Sequence, residues 1–146
     1  MNRGIALIRK WEGLRLNAYL CGAGKPTIGW GSTFYENNTK VELGDKITVE
    51  RADRILHLQC NMFNEALSKM VTSNINDNQR GALLSFIFNI GATQLRRSTL
   101  LKKVNKNPAD PAIRNEFMRW INVGGKPSNG LRNRRKDEAD LYFTAP

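Results

Sequence analysis

From Leu16 to Val41 the chain is punctuated by Gly22, Gly24, Pro26, Gly29, Gly31 and the polar cluster Glu36-Asn37-Asn38. Glycine frees the backbone and proline removes a hydrogen-bond donor, so a helix does not persist through such a stretch. Two or three short strands joined by turns do. On both sides the pattern is helical. Ile5, Ile8 and Trp11, flanked by Leu7, predict a first helix ending near Glu12. After the interrupted stretch, Thr48 is a candidate cap, and Ile55, Leu58, Met62, Ala66, Leu67 and Met70 mark one face of a helix of roughly 20 residues.

The second half reads as helices throughout. Asn76 or Asp77 caps a segment with the densest apolar content of the chain, Ala82, Leu83, Phe86, Ile87 and Ile90, closed by Gly91. Ser98 or Thr99 opens a shorter helix through Leu101 and Val104. Asp110-Pro111 then predicts a helix running through Ile113, Phe117, Trp120 and Ile121, broken by Gly124-Gly125 and Pro127. A last helix is predicted from about Leu131 to Tyr142, with Arg132, Arg134, Arg135 and Lys136 on its polar face. The expected architecture is one α+β domain over 1–146. It has a small strand-bearing lobe at about 14–47, a linking helix at about 49–70, and a helical lobe at about 76–146 that includes the N-terminal helix.

With 146 residues the chain suits one well-formed core. Its formal charge of +10 is uneven, net +3 over 1–75 and net +7 over 76–146, which favours a polyanionic partner: nucleic acid, an anionic membrane surface or an anionic wall polymer. Cys21 and Cys60 do not make a disulfide framework, and they are expected to stay unpaired. His57 is the lone histidine, so no metal centre and no cofactor are expected. No apolar run approaches the length of a spanning helix, and MNRGIALIRKWEG lacks the pattern of a cleaved signal.

Chemistry concentrates in WEGLRLNAYLCGAGKPTIGWGST, residues 11–33. Glu12 stands beside Trp11, whose apolar ring would favour the protonated carboxyl of a general acid. Tyr19, Cys21, Thr27 and Trp30 follow closely, and aromatic rings next to small polar groups suit a sugar. Glycoside hydrolysis normally uses two carboxylates. Only Glu12 is evident, because Glu36 sits in a turn-like stretch. Cys21 is a candidate base or nucleophile, balanced against a small buried hydrophobe, and Thr27 a candidate holder of water. TIGWG is not a phosphate loop, and a helix-turn-helix over 117–136 is a poor fit because glycines and Pro127 interrupt it.

The chain resembles the phage-type lysozymes, whose motif is a glutamate, an aspartate nine positions later and a threonine six beyond that; here those positions are Glu12, Cys21 and Thr27. NQRGALLSFIFNIG at 78–91, STLLKKVN at 98–105 and EFMRWINVGGKPSNGLRNRR at 116–135 carry the same resemblance. The resemblance implies a two-lobed α+β lysozyme fold. It also implies an endolysin that hydrolyses the β-1,4 bond between N-acetylmuramic acid and N-acetylglucosamine in bacterial peptidoglycan. Glu12 is then the general acid, Thr27 places the water, Gly31 and Trp30 line the cleft, and Phe88 with Asn89 contacts substrate. Arg134 supports the glutamate and Tyr19 supports the site. Two departures stand out: Cys21 at the aspartate position, where some similar phage endolysins also carry cysteine, and Ser32 where many members have histidine.

The resemblance further implies a monomer acting on peptidoglycan rather than nucleic acid, without stable membrane insertion. It would stay in the host cytoplasm until a separate phage pore, a holin, gives it access to the wall. The competing readings are a lytic transglycosylase, which would leave 1,6-anhydro ends, and a catalytically impaired wall-binding protein.

Overall fold

The computed structural model describes residues 2–146. They form two compact units, one of Ile8–Met62 and one of Phe63–Pro146 together with the residues up to Leu7.

In the smaller unit, the C-terminal part of α1 (Asn2–Glu12) leads into β1 (Arg15–Leu20) and β2 (Pro26–Gly29). The two strands are antiparallel, with Tyr19 opposite Thr27 and Leu20 opposite Pro26, and a register irregularity between Arg15 and Tyr19. The outer edge of β1 is taken by an extended segment: Ala18 N–H donates to the Asp45 carbonyl at 3.0 Å and Ile47 N–H to Leu16 at 2.9 Å. Between them the chain folds over itself at Tyr35 and Thr39 (2.9 Å). The Tyr35 hydroxyl donates to Asp45 at 2.6 Å, and Arg51 grips Glu36 at 2.9 and 3.1 Å. Glu36 is therefore spent on a surface ion pair.

Helix α2 (Val49–Met70) starts where Thr48 Oγ1 accepts the Arg51 N–H at 3.1 Å. Its buried stripe is Ala52, Ile55, Leu56, Cys60 and Leu67. This corrects the face expected from the sequence, since Leu58 and Met62 are 42 % and 61 % exposed. The reason is angular: at 3.6 residues per turn Ala52, Ile55, Leu56, Cys60 and Leu67 share one side of the helix, and Leu58 and Met62 lie off it. Both cysteines are free thiols, with Cys60 buried. His57 is exposed.

The larger unit is helical. Helix α3 (Asp77–Ile90) opens with a full capping box, Asn76 accepting from Gln79 N–H while the Gln79 side chain accepts from Asn76 N–H. Gly81 through Ile87 are all buried, so the middle two turns of this helix are covered on every side. Helix α4 (Ala92–Arg97) was not expected, whereas α5 (Thr99–Lys106) is capped by Ser98 as expected. Helix α6 covers only Ile113–Met118. Asp110 does not cap it; its carboxylate takes the Ala112 N–H at 2.9 Å in a preceding turn.

The segment after α6 is a small hairpin, β3 (Asn122–Val123) and β4 (Lys126–Pro127). Gly124 and Gly125 both have positive φ, 56° and 80°, the backbone a two-residue hairpin turn requires. They build a hairpin where the sequence suggested only a break. Helix α7 (Asn129–Tyr142) follows, capped by Ser128. Phe86, Phe117 and Tyr142 pack edge to face, at 5.4 and 5.8 Å between neighbouring centroids. The start of α1 lies against α3 through two glycines: a Cβ on Gly4 would sit 2.7 Å from Gly81 Cα.

The expected α+β class, with a small antiparallel sheet in one unit and helices dominating the other, is what the chain adopts. No helix among the described residues is long and apolar enough to cross a membrane.

Candidate active site

The smaller unit gathers Glu12, Tyr19, Cys21, Thr27, Trp30 and Gly31. Glu12 ends α1 and is half-buried. Three residues, Gly29-Trp30-Gly31, are looped out between Ile28 and Ser32, which exchange backbone hydrogen bonds at 2.8 and 2.9 Å. This brings Gly31 against the acid. A Cβ there would collide with the Glu12 carboxylate oxygen and lie 3.0 Å from its Cδ, and the φ of 86° is itself suited to glycine. Ser32, in the place of the family histidine, is buried and serves the same loop through its backbone.

The β1–β2 turn presents Cys21 and Thr27. The Lys25 carbonyl accepts from Cys21 N–H at 3.0 Å and from the Thr27 hydroxyl at 2.9 Å, which ties both ends of the turn to one oxygen. The Cys21 thiol is held below the ordinary thiol range, chiefly by a backbone hydrogen bond from Lys25, then by the Thr27 hydroxyl and the Ala23 backbone. Thr27 has one proton. While it lies on the Lys25 carbonyl, the hydroxyl oxygen can accept from the thiol; once the thiolate forms, the same proton can turn to the sulfur.

Tyr19, opposite Thr27 on β1, joins the two chemistries. Its hydroxyl is pushed up by burial and by the Glu12 charge, opposed by Arg15, with a smaller upward push from Cys21. The Arg15 guanidinium lies 4.4 Å from the ring centre. Trp30 is differently engaged: its indole N–H donates to Asp53 at 2.9 Å, and Arg9 lies 5.6 Å from its ring. That anchors the Gly29–Gly31 loop to α2.

Phe88, Asn89 and Arg134 belong to the larger unit. Phe88 is half-buried, edge-on to Phe63 at 5.8 Å. Arg134 is buried and donates to the Ser85 carbonyl at 3.0 Å and to Glu138 at 3.3 Å. The basic run of α7 is therefore split. Arg134 and Arg135 point inward at 4 % and 0 % exposure, whereas Arg132 and Lys136 face solvent. Glu138, also wholly buried, accepts from the Ser85 hydroxyl at 2.6 Å. Burial pushes its carboxyl up, opposed by Arg135, Arg134 and Ser85.

Asn89 is exposed and accepts a hydrogen bond from Arg135. It lines a cleft of about 450 Å³ with Ile90, Gln94, Arg119, Trp120, Asn122 and Leu131. Of this group only Asn89 was expected at a site from the sequence. The signal of the others was the mixture of Trp120, Arg119 and side-chain amides around the Gly124-Gly125 pair, which was read only as the end of a helix.

The family model described as phage lysozyme matches residues 9–138. The chain belongs to the phage lysozyme family. It is 40 % identical to the endolysin of Acyrthosiphon pisum secondary endosymbiont phage 1, covering 98 % of this chain and 97 % of that one. It is 35 % identical to the endolysin of Salmonella phage P22, covering 94 % of each. Among solved structures, the endolysin from Escherichia coli O157:H7 phage FAHEc1 superposes with a TM-score of 0.89 at 36 % identity, over 98 % of this chain and 92 % of that one. As a phage lysozyme the chain is a peptidoglycan-hydrolysing glycosidase. The transglycosylase and binding-only readings are set aside on the same findings.

Proposed function

We propose that this phage lysozyme cuts the β-1,4 bond between N-acetylmuramic acid and N-acetylglucosamine with Glu12 as the general acid and Cys21 and Thr27 as the pair that orders water. Glu12 donates its proton to the glycosidic oxygen as positive charge grows on the muramic acid C1. Water held by the Thr27 hydroxyl attacks from the opposite face while its proton passes to the Cys21 thiolate, and the configuration inverts. The observation that carries this reading is the geometry of the smaller unit, in which Gly31 lies against the Glu12 carboxylate and the Lys25 carbonyl ties Cys21 and Thr27 into one turn. Gly31 supports it by leaving the Glu12 carboxylate unobstructed on that side. The polymer is also touched by Phe88 and Asn89 of the larger unit, and the whole chain acts as one catalytic domain.

The test is the Glu12→Gln variant against the parent on purified peptidoglycan. The variant should fold and release no muropeptides; release at the parent's rate would remove Glu12 from the mechanism. Attack by sulfur rather than water would leave a thioglycoside on Cys21, seen by intact mass in a slowed variant, whereas inversion gives the α-anomer first. The protein acts as a monomer, accumulates in the host cytoplasm and reaches the wall through a separate phage pore. Fractionation of infected cells with and without that pore distinguishes this from export of its own.

A further inference from the structure

Arg135 presents an arrangement that the hydrolytic reading leaves unused. Its side chain is wholly buried, yet its Nη2 donates to the Oδ1 of Asn89, which is exposed. The guanidinium is fixed from behind. Its Nε lies 3.3 Å from Glu138, and its carbon sits 4.8 Å from the Phe86 ring centre. Glu138 is in turn held by Ser85 and Arg134. A chain of contacts thus runs from the core of the larger unit to one surface amide.

The chemistry of that contact dictates an orientation. A guanidinium has donors only, so the Asn89 oxygen must face it and the amide NH2 must face away. We propose that Arg135 is a positioning residue, which holds the Asn89 Nδ2 outward as a ready donor for an amide carbonyl oxygen of the substrate. This rests on the muramidase reading, in which Asn89 touches the polymer. A freely rotating asparagine would offer oxygen or nitrogen alike and lose rotamer entropy on binding; one fixed by Arg135 selects an acceptor and has already lost that freedom. Peptidoglycan carries such carbonyls in the acetamido groups of its sugars and in its peptide stems. The cleft beside Asn89, with Trp120 and the side chains of Gln94 and Asn122, gives a planar amide a suitable surface.

The experiment uses the full chain and measures KM, kcat and melting temperature on intact peptidoglycan and on glycan strands stripped of peptide. Asn89→Leu keeps the volume and removes the donor. Asn89→Asp keeps a partner for Arg135 and also removes the donor, and measuring it over a range of salt separates charge repulsion from the lost hydrogen bond. Both should raise KM by about 3- to 10-fold, the worth of one hydrogen bond to a neutral acceptor, with the change falling on KM more than on kcat. A rise on both substrates assigns the carbonyl to the sugar, and a rise on intact walls alone assigns it to the stem.

Arg135→Lys closes the cycle. It should raise KM in the parent background and leave KM unaltered in the Asn89→Leu background, although it lowers the melting temperature in both. An additive KM effect, or an unchanged KM in Asn89→Leu and Asn89→Asp, would overturn the proposal. A parent protein that releases no muropeptides would instead overturn the reading on which it rests.

Discussion

At the scale of single residues, Gly31 is the position least able to change. Alanine there must adopt a φ of 86° and put its methyl into the Glu12 carboxylate. The backbone strain alone is worth about 1–2 kcal/mol. Displacement of the acid is the larger consequence, and misplacing a reacting group by an ångström can cost on the order of 100-fold in rate. Gly31→Ala should therefore lose far more activity than thermal stability, checked by kcat/KM alongside a melting curve. Cys21 gives a pH signature. Because hydrogen bonds from Lys25, Thr27 and Ala23 lower its proton affinity, the thiolate forms at lower pH than from an ordinary cysteine. Activity should rise with pH through that ionisation. Cys21→Ser should remove the rise and lower kcat by about 100-fold or more, the usual worth of a general base. Glu12, Cys21 and Thr27 stand out in the sequence as candidates because their spacing matches a motif. Arg135 does not, because a run of Arg and Lys looks the same whether it faces water or the core. Only the neighbours that Ser85, Phe86 and Glu138 supply from α3 and α7 distinguish the two.

At the scale of elements, two junctions set the packing. In one, α1 approaches α3 through Gly4 and Gly81. Alanine in an exposed helix interior would normally stabilise by nearly 1 kcal/mol over glycine. Here the new methyl meets backbone, so Gly81→Ala should destabilise by about 1–3 kcal/mol, measured by denaturant unfolding. The other is the buried Arg134–Glu138–Arg135 cluster of α7. Glu138→Gln leaves two buried guanidiniums short of an anion and should cost about 3–5 kcal/mol, again read from unfolding. Helix positions with apolar periodicity and side-chain caps, such as α3 with Asn76 and α5 with Ser98, could be read from sequence since local chemistry fixes them. The buried face of α2 was misread because the apolar residues Leu58 and Met62 lie off the stripe that Ile55, Leu56 and Leu67 define, and the β3–β4 hairpin because Gly-Gly both ends helices and makes turns.

At the scale of the whole molecule, the +10 charge is weighted to the second half of the sequence. Part of that charge is internal, as Arg134 and Arg135 show, and the remainder is available to an anionic wall. Lysis of whole walls should weaken above roughly 0.15 M salt, where the screening length falls below about 8 Å. Cleavage of short, uncharged glycan fragments should change much less; equal sensitivity in the two assays would remove long-range attraction from the account. The central claim is hydrolysis driven by Glu12 despite cysteine in the aspartate position. It is tested most directly by digesting purified peptidoglycan and identifying the new sugar ends by mass spectrometry. The expected result is reducing N-acetylmuramic acid ends from the parent and none from Glu12→Gln. Anhydro ends, or reducing ends from both proteins alike, would contradict it.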